Sequence, residues 1–588
     1  MNASLAVMSQ SPRIRRFGVF EADLEAGELR KHGLALRLPE QSFQTLTMLL
    51  DRPGEIVTRL ELQEKLWPKQ SFADRDHGLN KAVNRLRDVL NDSASNPRFI
   101  ETIARKGYRL IVPVTGGSDD NPQTPATNRI RLAVLPFKNL SMDSEQEFFS
   151  DGLTEEMILE LGRLSPDRLG IIARTSAMQY KDGAKRIDEI GRELNVHYIL
   201  EGSVRKMESH ARIAAQLIHV QDQTHLWSGA YEREVADIFQ VQKDVAQRVA
   251  ESLAFELLPD AQSLGRAALP EAHESYLRGR FFWNRGDGKS ARNAIEWYQK
   301  AADCDPEYAL AHAGISDCYC RLAWFSELPP LVAGARAKDA AMRAVQIDPL
   351  LGDARASLAL TRFWYDWNWS EASNEFRLSL ELRPNYADAH NWYAAYLNVM
   401  GQFEEASAQQ KLAEDLDPLS LIIAMNAADP YYFSRQYVPA IEHLKRVLSR
   451  DRHFFPAYYN LGRAYALGGN YEQAIQMFQQ AARLSGSREA SAPIAYVHAR
   501  LGRVAEARKI LSDIEGLAKT HYVAPPQLAV IYLGLGDIEK ALDLLERGFD
   551  EKSFWMIYLK ADPIYDSLRN HPRFKNLMSR LAFPSESS

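Results

Sequence analysis

The sequence predicts a multidomain chain in which a small α+β domain is followed by an α/β domain and then an all-α solenoid. Three observations predict it. The stretch "TGGSDDNPQTPATN", residues 115–128, is rich in Gly, Pro, Ser, Thr, Asp and Asn and reads as a flexible linker. From "RLAVLPF", residues 131–137, strand-like and helix-like segments alternate. From residue 265 onward the helical period dominates, and proline recurs at a regular interval. A chain of 588 residues is also too long for one core.

Composition narrows the function classes. Hydrophobic residues make up 46% and charged residues 25%, which is ordinary for a globular protein. No run of ~18 apolar residues suggests a membrane span, and the start "MNASLAVMSQSPRIRRFGVF" lacks the pattern of a secretory signal. The three cysteines, Cys304, Cys318 and Cys320, lie in one helical region without a His pair at ligand spacing. They are expected to pack rather than to form disulfides or bind metal, which fits a reducing, cytoplasmic location. The net charge of −6 hides an asymmetry. Residues 12–113 carry 18 Lys+Arg against 14 Asp+Glu, which is +4 and leaves −10 for the remainder. Within 77–109 there are 7 basic and 3 acidic residues, a local footprint of the kind nucleic-acid binding requires.

The elements of the first domain follow in order. "RFGVFEADLEAGELRKHGLALRLPE" has short alternating runs with Gly turns and predicts a small antiparallel sheet. "QSFQTLTMLLDRPGE" is a helix stopped by Pro53 and Gly54. "TRLELQEKLWP" opens with Thr58 as N-cap and Glu61 three residues on, a capping box, and stops before Pro68. "DHGLNKAVNRLRDVLND" is a third helix. Its Leu79, Val83, Leu86 and Leu90 share one face, while Asn80, Lys81, Asn84, Arg87 and Asp88 are expected opposite, with Arg85 at the boundary. "ETIARKGYRL" then reads as strand, basic Gly turn, strand.

Together "LPEQSFQTLTMLLDRPGEIVTRLELQEKLWP", "LNKAVNRLRDVL" and "PRFIETIARKGYRL" resemble the winged-helix DNA-binding domain of OmpR/PhoB-type response regulators, in the variant of CadC/ToxR-type regulators. The resemblance covers residues 14–113. It implies that residues 77–90 form a recognition helix in the major groove and residues 99–112 a wing at the adjacent minor groove. In many response regulators an Arg follows the small-apolar pair of the wing, and here that position is Ala104, with positive charge displaced to Arg105 and Lys106. The candidate DNA-binding residues are Asn80, Lys81, Asn84, Arg85, Arg87, Arg105, Lys106 and Arg109. Asn reads adenine edges, Arg and Lys read guanine edges, and all three bind phosphates. The family's usual receiver domain has no counterpart ahead of residue 14, so the regulatory input is expected through the C-terminal portion.

The middle region, residues 129–256, carries "AVLPFKNLS", "FSDGLTEEM", "EIGRELNVHYILEGSV" and "HLWSGAYER". These motifs resemble the TolB N-terminal-like α/β domain that accompanies tetratricopeptide arrays in bacterial regulators and some adenylyl cyclases. Asp151, Glu155 and Glu156 read as an acidic group at a helix start, favourable with the helix dipole and needing no catalytic role. His197, His210, His219 and His225 lack metal-ligand spacing, and "DGLTEE" is not a phosphate loop. No nucleophile-base set is present, so no catalytic residue, metal or cofactor is expected.

In residues 265–588, Pro349, Pro384 and Pro418 follow helical runs at spacings of 35 and 34. "PAYYNLGRAYALGGNYEQAIQMFQQAARLSG" places Tyr458, Leu461, Gly462, Tyr465, Ala474, Phe478 and Ala481 at tetratricopeptide spacing, with small residues where helices approach and large ones filling the neighbour's groove. "DPIYDSLRNHPRFKNLMSRL" reads as a capping helix pair, and "FWYDWNW", residues 363–369, as inter-helix packing. Asn391, Asn398, Tyr459 and Arg463 are assigned to the concave surface as candidate partner-binding residues.

These readings predict a cytoplasmic, DNA-binding transcriptional regulator whose TolB-like and repeat regions sense a signal or recruit a protein, RNA polymerase or a regulatory partner. Its nucleic-acid partner is double-stranded DNA, and paired sites would suit a homodimer. The competing expectation is a repeat scaffold whose winged helix serves protein contacts.

Overall fold

The computed structural model describes residues 14–584 except 18–19, 25–26, 32–33, 37, 68–71, 91, 93–96, 98, 104–105, 113–128, 142–146, 165–168, 182, 184, 208–209, 235–237, 254–268, 286–287, 325–326 and 486–490. The chain divides into two compact units, Met1–Ala126 and Thr127–Ser588. The expected linker at 114–128 lies outside the described residues.

The first unit opens with an antiparallel meander: β1 (Ile14–Phe17), β2 (Phe20–Asp23), β3 (Glu28–Lys31) and β4 (Leu34–Leu36). Then come α1 (Glu40–Leu50), β5 (Ile56–Thr58), α2 (Arg59–Leu66), α3 (Phe72–Leu90), β6 (Ile100–Ile103) and β7 (Gly107–Leu110). The third helix begins earlier than its sequence pattern predicts. A second sheet, β5-β7-β6, is antiparallel throughout. Its close approach explains Gly107, because a Cβ there would fall 2.1 Å from the Val57 carbonyl oxygen. The two sheets and three helices share one core. Phe17, Phe20 and Phe99 meet edge-on or stacked, and Leu46, Leu49, Val57, Leu62, Leu79, Val83, Leu86, Leu90, Ile100 and Tyr108 fill the rest. Thr58 caps α2 as expected. Its hydroxyl oxygen accepts from the Glu61 N–H at 3.2 Å, and the Glu61 carboxylate accepts from the Thr58 N–H at 2.7 Å.

The second unit begins with β8 (Ile130–Val134), β9 (Lys138–Asn139), α4 (Glu147–Leu164), β10 (Leu169–Ile171), α5 (Arg174–Ala177), α6 (Ile187–Leu194), β11 (Tyr198–Met207), β12 (His210–His219), β13 (His225–Glu234) and α7 (Ile238–Ser252). The sheet order is β10-β8-β11-β12-β13, with β9 beside β11. The first three strands in that order are parallel and the last three antiparallel. α4 and α7 cover one face through Leu153, Met157, Leu161, Val241, Val245 and Val249. On the other face Ile190 and Leu194 of α6 pack on Ala133 and Ile199. Asp151, Glu155 and Glu156 correct the expectation of a helix-start group, since they lie inside α4 and are buried.

Helices then pair from Pro270–Trp283 to Pro572–Leu581. In the best repeat, Phe455–Leu467 packs on Tyr471–Ser485, and a Cβ at Gly462 would sit 2.7 Å from the Phe478 ring. The C-terminal cap departs from a helix pair: Pro563–Leu568 is a 3₁₀ turn ahead of the helix Pro572–Leu581. "FWYDWNW" does pack between helices, and its partners are far along the chain. Trp369 stacks on Phe583 at 4.3 Å and donates its indole N–H to the Leu581 carbonyl at 2.8 Å. Trp367 meets Phe549, and Trp364 meets Phe554.

The α/β domain and the repeats form one body rather than two. α4 packs on the helix Pro270–Trp283, and Glu155 pairs with Arg280 and, at 3.5 Å, with Arg174. The Ser176 hydroxyl donates to Asp417 at 2.5 Å and accepts from the Leu419 N–H at 2.8 Å. The Asn385 amide donates to the carbonyls of Gly162 and Leu169.

Candidate nucleic-acid interface

α3 is amphipathic, and its polar face carries most of the candidate residues. Leu79, Val83, Leu86 and Leu90 are buried, which turns Asn80, Lys81, Asn84 and Arg85 outward. Lys81, Asn84 and Arg85 stand at i, i+3 and i+4, so they share one patch, and none has a partner among the described residues. Unpaired donors of this kind can reach base edges and phosphates without first breaking an internal contact.

Asn80 is also exposed but is already engaged. Its Oδ1 accepts from Arg59 Nη2 at 2.9 Å and from the Tyr108 hydroxyl at 3.2 Å. Arg59 Nη1 donates to the same hydroxyl at 2.8 Å. The start of α2, the outward face of α3 and the second wing strand are thus tied at one point. Sequence reasoning missed Arg59; its place directly after the N-cap Thr58 was the available signal, since it fixes where the α2 N-terminus meets the wing.

Arg87 corrects the expectation. It is 6% exposed, and its Nη2 donates to the Ile100 carbonyl at 2.7 Å and the Thr102 hydroxyl at 2.8 Å. One helical turn beyond buried Val83, it fastens the end of α3 to β6 rather than facing outward. Arg109 is half-buried and paired with Glu101, its cross-strand neighbour, at 2.5 Å. Lys106 is exposed at the turn between β6 and β7, and its carbonyl accepts from the Arg59 N–H at 3.0 Å. Arg105, Ala104 and the side chain of Asp88 lie outside the described residues.

The residues assigned to the repeat groove are placed differently from their expectation. Asn391 and Asn398 are buried rather than solvated. The Oδ1 of Asn391 accepts from the Asn426 amide at 3.0 Å, and that of Asn398 is enclosed without a partner. Tyr459 packs edge-on against Phe478. The acidic partner of Arg463 is the chain's own Asp562 at 2.8 Å, which also accepts from the Tyr432 hydroxyl. Tyr459, Arg463 and Asp562 line a cavity of about 70 Å³ with Gln527 and Trp555. The C-terminal segment borders this part of the groove, where Asp562, which caps its own 3₁₀ turn, also pairs with Arg463.

Among the described residues no group of His, Cys, Asp and Glu could hold a metal ion, and no helix is long and apolar enough to cross a membrane. Cys318 and Cys320 are buried and Cys304 is exposed.

Comparison with known proteins extends this description. Residues 33–110 match the family described as "Transcriptional regulatory protein, C terminal". Residues 128–248 match "HilA/YgeH-like transcriptional regulator, second domain", and 434–485 and 527–547 match tetratricopeptide repeats. The chain is 36% identical over 212 residues to "Putative adenylate cyclase 3" of Rhizobium meliloti, a match covering 35% of each chain. It is 23% identical over 396 residues to "Transcriptional regulator HilA" of Salmonella typhimurium, covering 67% of this chain and 68% of that one. It is 40% identical over 79 residues to the "Cholera toxin homolog transcriptional activator" of Vibrio parahaemolyticus, 27% of that protein's length. The N-terminal unit thus carries the DNA-binding domain of a transcriptional regulator, and the same chain continues into a tetratricopeptide region.

Proposed function

We infer that this chain is a DNA-binding transcriptional regulator. The N-terminal winged helix reads double-stranded DNA, and the α/β domain and repeats, which form one body, receive the signal. The single observation that carries the reading is the patch of Lys81, Asn84 and Arg85 on the outward face of α3, which have no partner among the described residues. A scaffold using its winged helix for protein contacts would have no need of cations held free at that helix. α3 lies in the major groove, Lys106 at the turn of the wing meets the DNA backbone, and the site of action is the cytoplasm. The α/β domain is read as kin to TolB N-terminal domains as well as to the HilA/YgeH second domain it matches.

Regulation reaches DNA through a protein partner, RNA polymerase or a regulatory protein, held by the repeats. Asn391 and Asn398 are not its contacts, being buried. The chain is read as a regulator without catalysis, its similarity to a named cyclase being confined to 35% of each chain.

The test is a gel-shift salt series on DNA selected by the purified chain from a random pool. Phosphate contacts give a slope of about −0.9 per neutralised phosphate in log affinity against log salt. A flat slope with no selected sequence supports the scaffold instead. Formation of cyclic AMP from ATP by the same preparation would overturn the non-enzyme reading.

A further inference from the structure

We propose that two copies of this chain associate through the outer edge of β13, antiparallel and centred on Ala230. β13 is the last strand of its sheet and runs ten residues, His225–Glu234. β12 pairs with one side of it, and among the described residues no strand pairs with the other. An edge of that length presents a row of backbone donors and acceptors to any strand laid against it. Natural edges are blunted by proline, charge, bulges or shortness. "HLWSGAYERE" is long and has no proline or lysine, its charges gather at one end, and the irregularity in its pairing with β12 falls at the other, at Leu226, which leaves Trp227–Tyr231 regular and uncharged. Its six-residue run Leu226–Tyr231 carries no charge, and Leu226, Ser228 and Ala230 are exposed.

The sequence of the strand selects a second copy as the occupant. Charges gather at one end, in Glu232, Arg233 and Glu234. Parallel pairing of two copies in register would set each of these against itself, and like charges directly opposite are destabilising. Antiparallel pairing about Ala230 removes every such clash. It sets Arg233 opposite Trp227, where the guanidinium can lie on the indole, Glu232 opposite Ser228, whose hydroxyl can donate to the carboxylate, and Glu234 opposite Leu226. Ala230 meets its own copy at the twofold axis, where a small exposed side chain leaves room. The resulting sheet is continuous across both copies. This deepens the regulator reading, on which its purpose rests: one chain carries one recognition helix, and a twofold pair presents two to a paired operator.

The experiment is run without DNA, so that its failure and the failure of the regulator reading are separate results. The full chain is made with Cys304→Ser, because Cys304 is exposed and would cross-link on its own. Sedimentation equilibrium is compared for this chain, for Ala230→Glu, for Ala230→Lys and for a mixture of the two variants. The parent is expected to sediment as two chains. Each variant, setting like charges face to face at the axis, is expected to dissociate at least about tenfold more readily, and the mixture to regain the pair. In addition, Ala230→Cys is expected to form an interchain disulfide on mild oxidation. A parent monomeric at about 50 μM overturns the proposal, a concentration where even weak specific interfaces associate. So do charged variants that pair as tightly as the parent, or a mixture that fails to recover.

Discussion

Asn80 Oδ1 accepts a hydrogen bond from Arg59 Nη2 at 2.9 Å, which joins α3 to the first residue of α2. The Tyr108 hydroxyl, 3.2 Å from the same oxygen, brings in the wing. This three-way contact fixes α3 against α2 and β7 together, and the role proposed for α3 requires that it hold its register to a fraction of an ångström. Tyr108→Phe keeps the buried ring and removes only the hydroxyl. It is expected to cost roughly 1 kcal/mol of stability and to weaken DNA binding through position rather than contact. The salt slope should then stay unchanged while affinity falls. A reduced slope would show that the hydroxyl, or Arg59 once released, touches phosphate directly.

Lys81, Asn84 and Arg85 should separate sharply from Arg87. Alanine at any of the first three is expected to cost about 1–3 kcal/mol of specific DNA binding and almost nothing in thermal stability, because each is exposed. Arg87→Ala is expected to do the reverse. It leaves the Ile100 carbonyl and the Thr102 hydroxyl short of a donor, at roughly 1–3 kcal/mol of folding stability. Melting curves and operator affinities measured side by side decide it. An Arg87→Ala domain of parental stability that no longer binds DNA would return Arg87 to the interface.

That contrast shows what the sequence could and could not reveal. The helix-helix-wing order, the capping box at Thr58 and Glu61, and the Gly462–Phe478 packing are local patterns, and each is found where its spacing puts it. Arg87 was legible in principle, since it follows Val83 by one turn on the buried side; its charge argued for solvent, and only the β6 carbonyl that pairs it explains the burial. Asn391, Asn398 and Arg463 were misplaced for another reason. Whether a groove is open depends on segments distant in sequence, and Asp562 reaches Arg463 from 99 residues away. The joining of the α/β domain to the repeats is likewise set by pairs such as Glu155 with Arg280, invisible to any local pattern.

Glu155 and Arg280 test that joining. Glu155 is buried, and the guanidinium groups of Arg280 and Arg174 hold its carboxyl below the usual carboxylate range although burial opposes them. Arg280→Met removes the larger countercharge and leaves a buried carboxylate with one partner at 3.5 Å. Breaking such a pair costs about 3–5 kcal/mol. The single unfolding transition expected of 127–588 should then shift down and split, with the α/β domain melting first. A variant that keeps one transition at the parental temperature would mean that the pair does not hold the two parts together.

Asp417 gives the same interface a pH dependence. Burial between the α/β domain and the repeats pushes its carboxyl from 3.8 up to about 7, although the Ser176 hydroxyl donates to it. The native chain therefore holds this proton up to about 7, while the unfolded chain releases it near 3.8. Between those values the native state binds the extra proton, so stability is greatest below the lower value and falls as pH rises through the upper one. Asp317 and Asp429, also raised to about 7 by burial, act in the same direction. The imidazoles of His273, His312, His390 and His443, lowered by burial from 6.5, act the other way below that value, so the melting temperature of the whole chain is expected to fall most clearly between about pH 6 and pH 8. Asp417→Asn, which can still accept from Ser176 and carries no charge, should flatten that fall, retaining on the order of 1–3 kcal/mol at pH 8 relative to the parent. Ser176→Ala leaves the Leu419 N–H without its acceptor and should lower stability at both pH values. If Asp417→Asn follows the parental pH profile, the carboxylate is already ionised at pH 5 and the contact with Ser176 is an ordinary charged hydrogen bond.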